Sequence, residues 1–130
     1  MNLILLLGSI LGFLSILIAA YVDHSSAFHV LSAPTMGSVL TAIKYHQLYA
    51  IIVCVIGLTV PAQSNIKIQS WLIRSAYLFC MGTLLFCFSI YIASIWHFPK
   101  LLFITPIGGI LFILGWVGLI RAAFFKIPHD

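Results

Sequence analysis

Charge is the property that this sequence most clearly lacks. Its 130 residues include no glutamate and only 6% charged residues, whereas 63% of them are hydrophobic. A soluble domain carries roughly 25% charged residues, so this chain cannot cover a water-exposed surface and requires the lipid bilayer as its solvent. The few lysines and arginines are scattered along the chain, which excludes the basic patch or stripe of a nucleic-acid-binding protein.

Signatures of catalysis and of metal binding are missing as well. The two acids, Asp23 and Asp130, lie outside the long apolar runs, and no Ser-His-Asp spacing, phosphate loop or HExxH motif occurs. The cysteines Cys54, Cys80 and Cys87 form no Cys-x-x-Cys pair and are typical of small buried side chains. We therefore predict a protein that is not an enzyme and needs no cofactor.

Four long apolar runs are what the sequence contains instead. Each is close to the ~20 residues that a helix needs to cross the hydrocarbon core, and none alternates like a barrel strand. The first run lacks the basic residues that precede a signal peptide, so we expect it to be retained. We predict an all-α membrane protein, a four-transmembrane-helix bundle in a single domain over 1–130. Its helices are expected at about 3–22, 35–60, 71–96 and 106–125.

The positions of the basic residues predict the orientation of this bundle. With four spans, both termini and the loop at 61–70 share one side of the membrane. The basic residues divide four to two, with Lys67, Arg74, Arg121 and Lys126 on that side and Lys44 and Lys100 on the other. Because cytoplasmic loops carry the excess of lysine and arginine, we predict that both termini are cytoplasmic.

Two pairs of proline and threonine mark the expected starts of the second and fourth helices. Pro34 and Thr35 precede apolar residues at helical spacing, which predicts one long second helix from 35 to 60. At ~1.5 Å per residue this helix would be about 39 Å long, more than the ~30 Å core requires. In the stretch ITPIGG, we expect Thr105 to be the N-cap of the fourth helix and Pro106 to be its first residue.

Small residues at helix-packing spacing predict close contacts between helices. In lipid no hydrophobic force drives helices together, so interfaces depend on small residues that let backbones approach. The glycines that we assign to such contacts are Gly8, Gly12, Gly108, Gly109 and Gly115. The contacts are expected within one chain, with a homo-oligomer as the alternative.

Polar side chains concentrate on the side that we predict to be non-cytoplasmic. As a candidate polar pocket we single out His24, His46, Gln47, Tyr91 and Thr105. Three interpretations stay open, because intramembrane polar groups face the interior of a bundle or a cavity. They are a hydrogen-bonded layer that fixes helix register, a pocket for a small molecule, quinone or lipid headgroup, and a metal or haem site. The last would use His24, His46 or His97, but no two of these share one helix at i, i+4 spacing.

The third and fourth apolar runs carry a recognisable series of residues. It consists of Gly82, Leu85, Phe86, Ser89 and Tyr91, then ITPIGG at 104–109, then Gly115-Trp116. This series resembles domain-of-unknown-function family 423, the YgdD-like small inner-membrane proteins. The first half is similar too, with His24 matching a family histidine. The family motif Y-Q-x-Y-H resembles either Tyr45-His46 or His46-Gln47-Leu48-Tyr49, and in the second register its final histidine is Ala50 here. The resemblance implies four helices and an inner-membrane location, and it implies no reaction.

Together these observations predict a structural or accessory role for the protein. It would pack against itself or within a larger membrane complex. The alternative is binding or transport of a small molecule, lipid or quinone through a polar pocket on the non-cytoplasmic side. A hydrophobic groove left open on the monomer would favour the accessory role. A closed cavity lined by His24, His46, Gln47 and Tyr91 would favour the ligand-binding role.

Overall fold

The computed structural model describes residues 1–125, and within that range the chain is helical with no strand. The α-helices are α1 Leu3–His24, α2 Ser26–His29, α3 Ala33–Thr59, α4 Ile66–Thr83, α5 Ser89–Ile95 and α6 Thr105–Ala123. Four helical segments in this range are long and apolar enough to cross a membrane: α1, α3, α4 continued by α5, and α6. The predicted fold class, an all-α membrane protein with four spanning helices, is confirmed.

The third span is one continuous helical rod with a wider turn in its middle. Residues Leu84–Phe88 form a π-helical turn that joins α4 to α5 without a break. A π-turn holds more residues per turn than an α-helix, so the side chains of α5 are rotated relative to a straight continuation of α4. This turn therefore determines which residues of α5 face the other helices.

The helix α4 begins five residues before the predicted start at 71. The side chain of Asn65 accepts a hydrogen bond of 2.9 Å from the Lys67 backbone N–H, which caps the helix at Ile66. Gln69 then donates from Nε2 to the Val60 carbonyl at 3.2 Å and ties the first turn to the end of the second span. A hydropathy criterion misses this turn because its capping and tethering residues are polar.

The start of α6 differs from the prediction at Thr105. Thr105 is the first residue of the helix and not its N-cap, because a 3-10 helix at Pro99–Phe103 leads directly into α6. Ile104 already has helical dihedral angles, φ −82° and ψ −27°, so no extended residue is available to act as a cap. Pro106 lies in the first turn, where its missing N–H removes no bond from the helix.

The spans pack as two antiparallel hairpins. The most extensive contacts are those of α1 with α3 and of α4 with α6, and α3 joins the hairpins by packing against α4 and α5. Asn2 links the start of α1 to the end of α3, because its Nδ2 donates to the Gly57 carbonyl at 2.6 Å. We call the end of the bundle that holds Lys67, Arg74 and Arg121 the basic end, and the other the far end.

Glycines line the contact between the helices of each hairpin. A Cβ atom added to Gly8 would lie 2.7 Å from the Cys54 backbone nitrogen, and one added to Gly115 would lie 2.5 Å from the Phe79 ring. Gly108 lies directly against the backbone of Phe86 in the π-turn. At Gly12 the nearest atom would be the Ala50 Cβ at 3.8 Å, an ordinary contact. Glycine therefore brings helix backbones together at Gly8 and Gly108 and makes room for a ring at Gly115.

The close contact predicted at Gly109 is not made within the described part of this chain. No atom of another helix lies within 4 Å of the place that a Gly109 Cβ would occupy. Successive residues of a helix are separated by about 100° around its axis, so only one of two adjacent glycines can face α4. Gly108 takes that position, and Gly109 is directed away from the contact.

Candidate functional site

The five residues of the predicted polar pocket do not form one site. His46 and Tyr91 are buried, with 0% and 4% of their surface exposed, and they contact each other. His24 and Gln47 are exposed, and Thr105 is half-buried beside α5. Gln47 follows His46 on one helix and therefore points about 100° away from the bundle interior. The structure thus replaces the predicted pocket with a buried pair, a separate hydroxyl and two surface residues.

The buried pair joins the second span to the third. Tyr91 Oη and His46 Nδ1 are 3.4 Å apart, and either group can donate depending on the imidazole tautomer. The ring centroid of Phe88 lies 5.4 Å from that of His46. Within the described residues, Nε2 of His46 has no hydrogen-bond partner although it is buried. The pair therefore provides one hydrogen bond between α3 and α5 and leaves one polar atom unsatisfied.

Hydroxyl groups connect the third span to the fourth. Ser89 Oγ and Thr105 Oγ1 are 2.7 Å apart, and Ser89 also donates to the Phe86 carbonyl at 2.9 Å. On the side of the bundle where α3 and α6 meet, Trp116 Nε1 donates to Tyr49 Oη at 3.2 Å. The Ser89–Thr105 bond joins α5 to α6 and the Trp116–Tyr49 bond joins α6 to α3, so polar contacts tie these three helices together.

An aromatic cluster fills the space between the two hairpins, and the sequence alone did not reveal it. The rings of Tyr49 and Phe112 stack with centroids 3.7 Å apart and an interplanar angle of 9°. Phe79 stacks on Tyr49 at 5.0 Å, and Trp116 meets Phe79 edge to face at 5.7 Å. These residues come from three different spans, so only their arrangement in the fold shows that they belong together.

A cleft of about 930 Å³ opens at the far end of the bundle. Its walls come from the start of α3, from α5, from the 3-10 helix and from the start of α6. The residues that line it are Val30, Leu31, Ser32, Pro34, Thr35, Ser38, Phe86, Ile90, Ala93, Ser94, His97, Pro99, Leu102, Thr105 and Pro106. Only Thr105 of the predicted pocket is among them. None of these lining residues is an acid, a lysine or an arginine. The volume lies within the range of roughly 300–1,000 Å³ that is typical of small-molecule sites.

His97 has an unusual backbone conformation at the edge of this cleft. Its φ is 50°, and it is the one non-glycine residue with positive φ in the part of the chain that is described. Phe98 N–H donates to the Ala93 carbonyl at 3.1 Å, the hydrogen bond of a Schellman motif that ends the third span. That position normally holds glycine, which adopts positive φ without a Cβ penalty. A histidine there therefore has a conformational cost.

The described side chains offer no group of metal ligands. Among them, no set of three His, Cys, Asp or Glu side chains lies close enough to hold a metal ion. His46 is buried between α3 and α5, whereas His97 is exposed at the cleft. Cys54, Cys80 and Cys87 are all free thiols.

The fold and its apolar outer surface define a small integral membrane protein with four spanning helices. The family model described as "Protein of unknown function (DUF423)" matches residues 18–109, a range that ends with the last glycine of ITPIGG. The UPF0382 inner membrane protein YgdD of Escherichia coli is 30% identical over 130 residues, covering 97% of this chain and 95% of that protein. The chain belongs to the DUF423 family, and the predicted resemblance is confirmed.

Further relatives carry names of the same kind. A UPF0382 membrane protein of Haemophilus influenzae is 29% identical over 126 residues, covering 95% of this chain and 94% of the relative. A UPF0382 membrane protein of Staphylococcus aureus is 40% identical over 80 residues, covering 62% of this chain and 59% of the relative. No solved structure matches the chain significantly. The relatives are named as membrane proteins, and their names assign no activity.

Proposed function

We propose that this protein is a non-catalytic membrane protein that holds an uncharged amphiphile in the cleft at the far end. The amphiphile would be a quinone or a lipid with an uncharged headgroup. The observation that carries the proposal is the cleft itself, with its volume of about 930 Å³ and its lining without an acid, a lysine or an arginine. A ligand with a formal charge would find no counter-charge there, whereas an apolar tail would lie against Leu31, Ile90 and Leu102.

Two polar side chains of the cleft are available to orient such a ligand. Ser32 and Thr35 bond to each other at 2.8 Å, and Ser38 donates to the Pro34 carbonyl. Ser94 and His97, in contrast, make no side-chain hydrogen bond within the described residues. A hydroxyl and an imidazole can both donate to or accept from a carbonyl or hydroxyl headgroup. These two residues are therefore the expected contacts of the polar head.

An accessory role in a membrane complex is the second candidate, and the same cleft supports it. The cleft is open on the monomer, the feature that we expected to favour this role, so a helix of a partner or of a second copy could cover it. We rank ligand binding first because the cleft has the volume of a small-molecule site and because Ser94 and His97 line it without side-chain partners among the described residues. The identity of the occupant separates the two functions. A stoichiometric small molecule supports ligand binding, and a stoichiometric protein supports the accessory role.

Native mass spectrometry of the protein after extraction in a mild detergent tests the proposal. We expect one small molecule per chain on the wild type and its loss from Ala93→Trp, which fills the cleft. Ala20→Trp is the matched control, because Ala20 is exposed on α1 outside the cleft. Ser94→Ala and His97→Ala reduce retention without filling the space, in case the tryptophan disturbs folding. A molecule that stays bound to all of these variants, or a protein partner in its place, would contradict the ligand-binding proposal.

For the orientation, we propose that the basic end faces the cytoplasm. Lys67, Arg74 and Arg121 lie together at that end, and such an excess of basic residues is typical of the cytoplasmic side. Lys126, the fourth basic residue counted in the prediction, lies outside the described residues. The cleft at the far end would then open toward the non-cytoplasmic leaflet.

A further inference from the structure

A second cleft, of about 500 Å³, lies at the basic end between the start of α4 and the end of α6. Three cations line it, Lys67, Arg74 and Arg121, together with Ser70, Trp71 and Phe125. No acidic side chain lines it. Within residues 1–125 the sole acid is Asp23, at the far end, and no ion pair is formed. The three positive charges therefore share one cleft without a counter-charge from the described part of the chain.

Aromatic rings contact all three cations, and Lys67 and Arg121 share one ring. Lys67 Nζ lies 6.0 Å from the centroid of the Phe125 ring, and Arg121 Cζ lies 5.8 Å from the same centroid. The two charged groups can therefore be no further apart than the sum of these distances. Arg74 Cζ lies 5.2 Å from the Trp71 ring. A ring attracts a cation through its quadrupole but leaves the net charge and most N–H donors free, so the cations can still bind an anion.

The position of Lys67 adds to the need for an anion. Lys67 lies in the first turn of α4, where the helix dipole is already positive and a basic side chain is unfavourable. Repulsion among the three cations is a further unfavourable contribution at short range. A bound anion would offset both, and the planar guanidinium groups of Arg74 and Arg121 match a phosphate through paired hydrogen bonds.

We propose that this cleft binds the phosphate of an anionic phospholipid from the surrounding membrane. The neighbouring surface favours a lipid over free phosphate. Ile66 is exposed at the cleft, and Val117 and Ile120 form an exposed apolar face on α6 that leads from it along the span. Acyl chains can lie against that face while Trp71 and Phe125 sit at the level of the headgroups. Basic clefts between spanning helices are a recognised way of binding anionic lipid headgroups.

The simpler explanation of these cations is that they only set the orientation of the chain. Orientation depends on the number of basic residues near helix ends and not on their convergence at one cleft. Substitutions that keep the charge but change its geometry therefore separate the two explanations. Arg74→Lys with Arg121→Lys preserves the charge count and removes both guanidinium forks.

The test is thermal unfolding of the purified protein in detergent micelles with added lipid. At equal mole fraction, phosphatidylglycerol should raise Tm by about 3–5 °C more than phosphatidylcholine with the same acyl chains. The double Arg→Lys variant should keep less than about half of this difference, and Arg74→Gln with Arg121→Gln should lose it. Lys44→Gln is the matched control, because Lys44 is exposed on α3 outside the cleft and its loss should leave the difference unchanged.

Three results would overturn the proposal. Equal shifts with the two lipids would remove the evidence for a headgroup site. An unchanged shift in the double Arg→Gln variant would place the site elsewhere. A shift of the same size with inorganic phosphate alone would show that the cleft takes a free anion and not a lipid. If the glutamine variant does not fold, the double lysine variant decides the outcome.

Discussion

His46 is completely buried, and its hydrogen bonds are only half satisfied. It bonds to Tyr91, while its Nε2 has no partner among the described residues. An unsatisfied buried polar atom costs about 1–3 kcal/mol, and a hydrogen bond between membrane helices returns only about 1 kcal/mol. The pair fixes how the two helices are turned toward each other, because only one rotation of α3 against α5 brings the imidazole and the phenol together.

The backbone of His97 is strained because this residue ends the third span. As the residue after the C-cap Trp96, it must adopt positive φ to complete the Schellman hydrogen bond. His97→Gly should therefore raise the free energy of unfolding by about 1 kcal/mol, because glycine adopts this conformation without the Cβ penalty. Thermal unfolding in detergent measures the change.

The matched control for this substitution is His97→Ala. Alanine removes the imidazole but keeps the Cβ and its strain, so it should not stabilise the protein. Both variants should lose the cleft ligand to the same extent, since both lack the imidazole. If the glycine variant is no more stable than the alanine variant, strain at His97 is not the cause of its effect.

The helices α4, α5 and α6 depend on one another through the π-turn. The turn at Leu84–Phe88 brings the Phe86 backbone against Gly108 of α6 and places Ser89 beside Thr105. A regular α-helical turn would direct these residues elsewhere, because it holds fewer residues per turn. The wide turn and the glycine are therefore complementary features of one contact.

The adjacent glycines of ITPIGG provide a direct test of this contact. Gly108→Ala places a Cβ into the backbone of Phe86, so it should lower the free energy of unfolding by about 2–3 kcal/mol. Gly109→Ala meets no other helix and should raise the free energy of unfolding by about 0.5–1 kcal/mol, because alanine is the better helix former. Denaturation in detergent compares the two variants.

Equal effects of the two substitutions would contradict this account of the contact. The larger substitution Gly109→Leu serves as a further check. It should accumulate and unfold like the wild type if Gly109 faces lipid, and it should be destabilised if a second copy packs there. The comparison therefore also tests the homo-oligomer alternative.

The two hairpins are joined to each other by stacked side chains, whereas the helices within each hairpin approach closely along glycines. Within a hairpin, glycines let α1 approach α3 and α4 approach α6. Between the hairpins, Tyr49 stacks on Phe79 and Phe112. In lipid, where apolar burial gives no driving force, van der Waals packing of this kind holds helices together. Phe86, which lines the far-end cleft, contacts Phe112 of this cluster with ring centroids 5.6 Å apart.

The orientation of the whole molecule can be measured with reporter fusions at the C-terminus. With the basic end in the cytoplasm, a green fluorescent protein fusion should fluoresce and an alkaline phosphatase fusion should be inactive. Substituting Lys67, Arg74 and Arg121 by glutamine should raise the inverted fraction, because it removes the described basic residues of that end. The double substitution Lys44→Gln and Lys100→Gln should not raise the inverted fraction. An active alkaline phosphatase fusion on the wild-type protein would refute the proposed orientation.

The positions of the spans could be predicted with few errors, whereas the site could not. Apolar runs of about 20 residues are sufficient to place four helices. The start of α4 was missed because a polar first turn capped by Asn65 lowers the local hydropathy. The pocket was predicted from residues that share one level of the membrane, but rotation about each helix axis turns Gln47 outward and His46 inward. The depth of a residue in the membrane follows from its position along its helix. The direction in which its side chain faces depends on how the helices pack.

The order of apolar runs and basic residues along the sequence dictates a membrane protein, its four helices and the separation of its basic and far ends, because each follows from the free energy of transferring residues into lipid. Only the tertiary structure decides that Gly108 and not Gly109 meets Phe86, and that Tyr49 joins Phe79 and Phe112. It also decides that Ser94 and His97 line the cleft while His46 does not. These features depend on the angle at which each helix faces its neighbours, which is set by contacts between residues far apart in the chain.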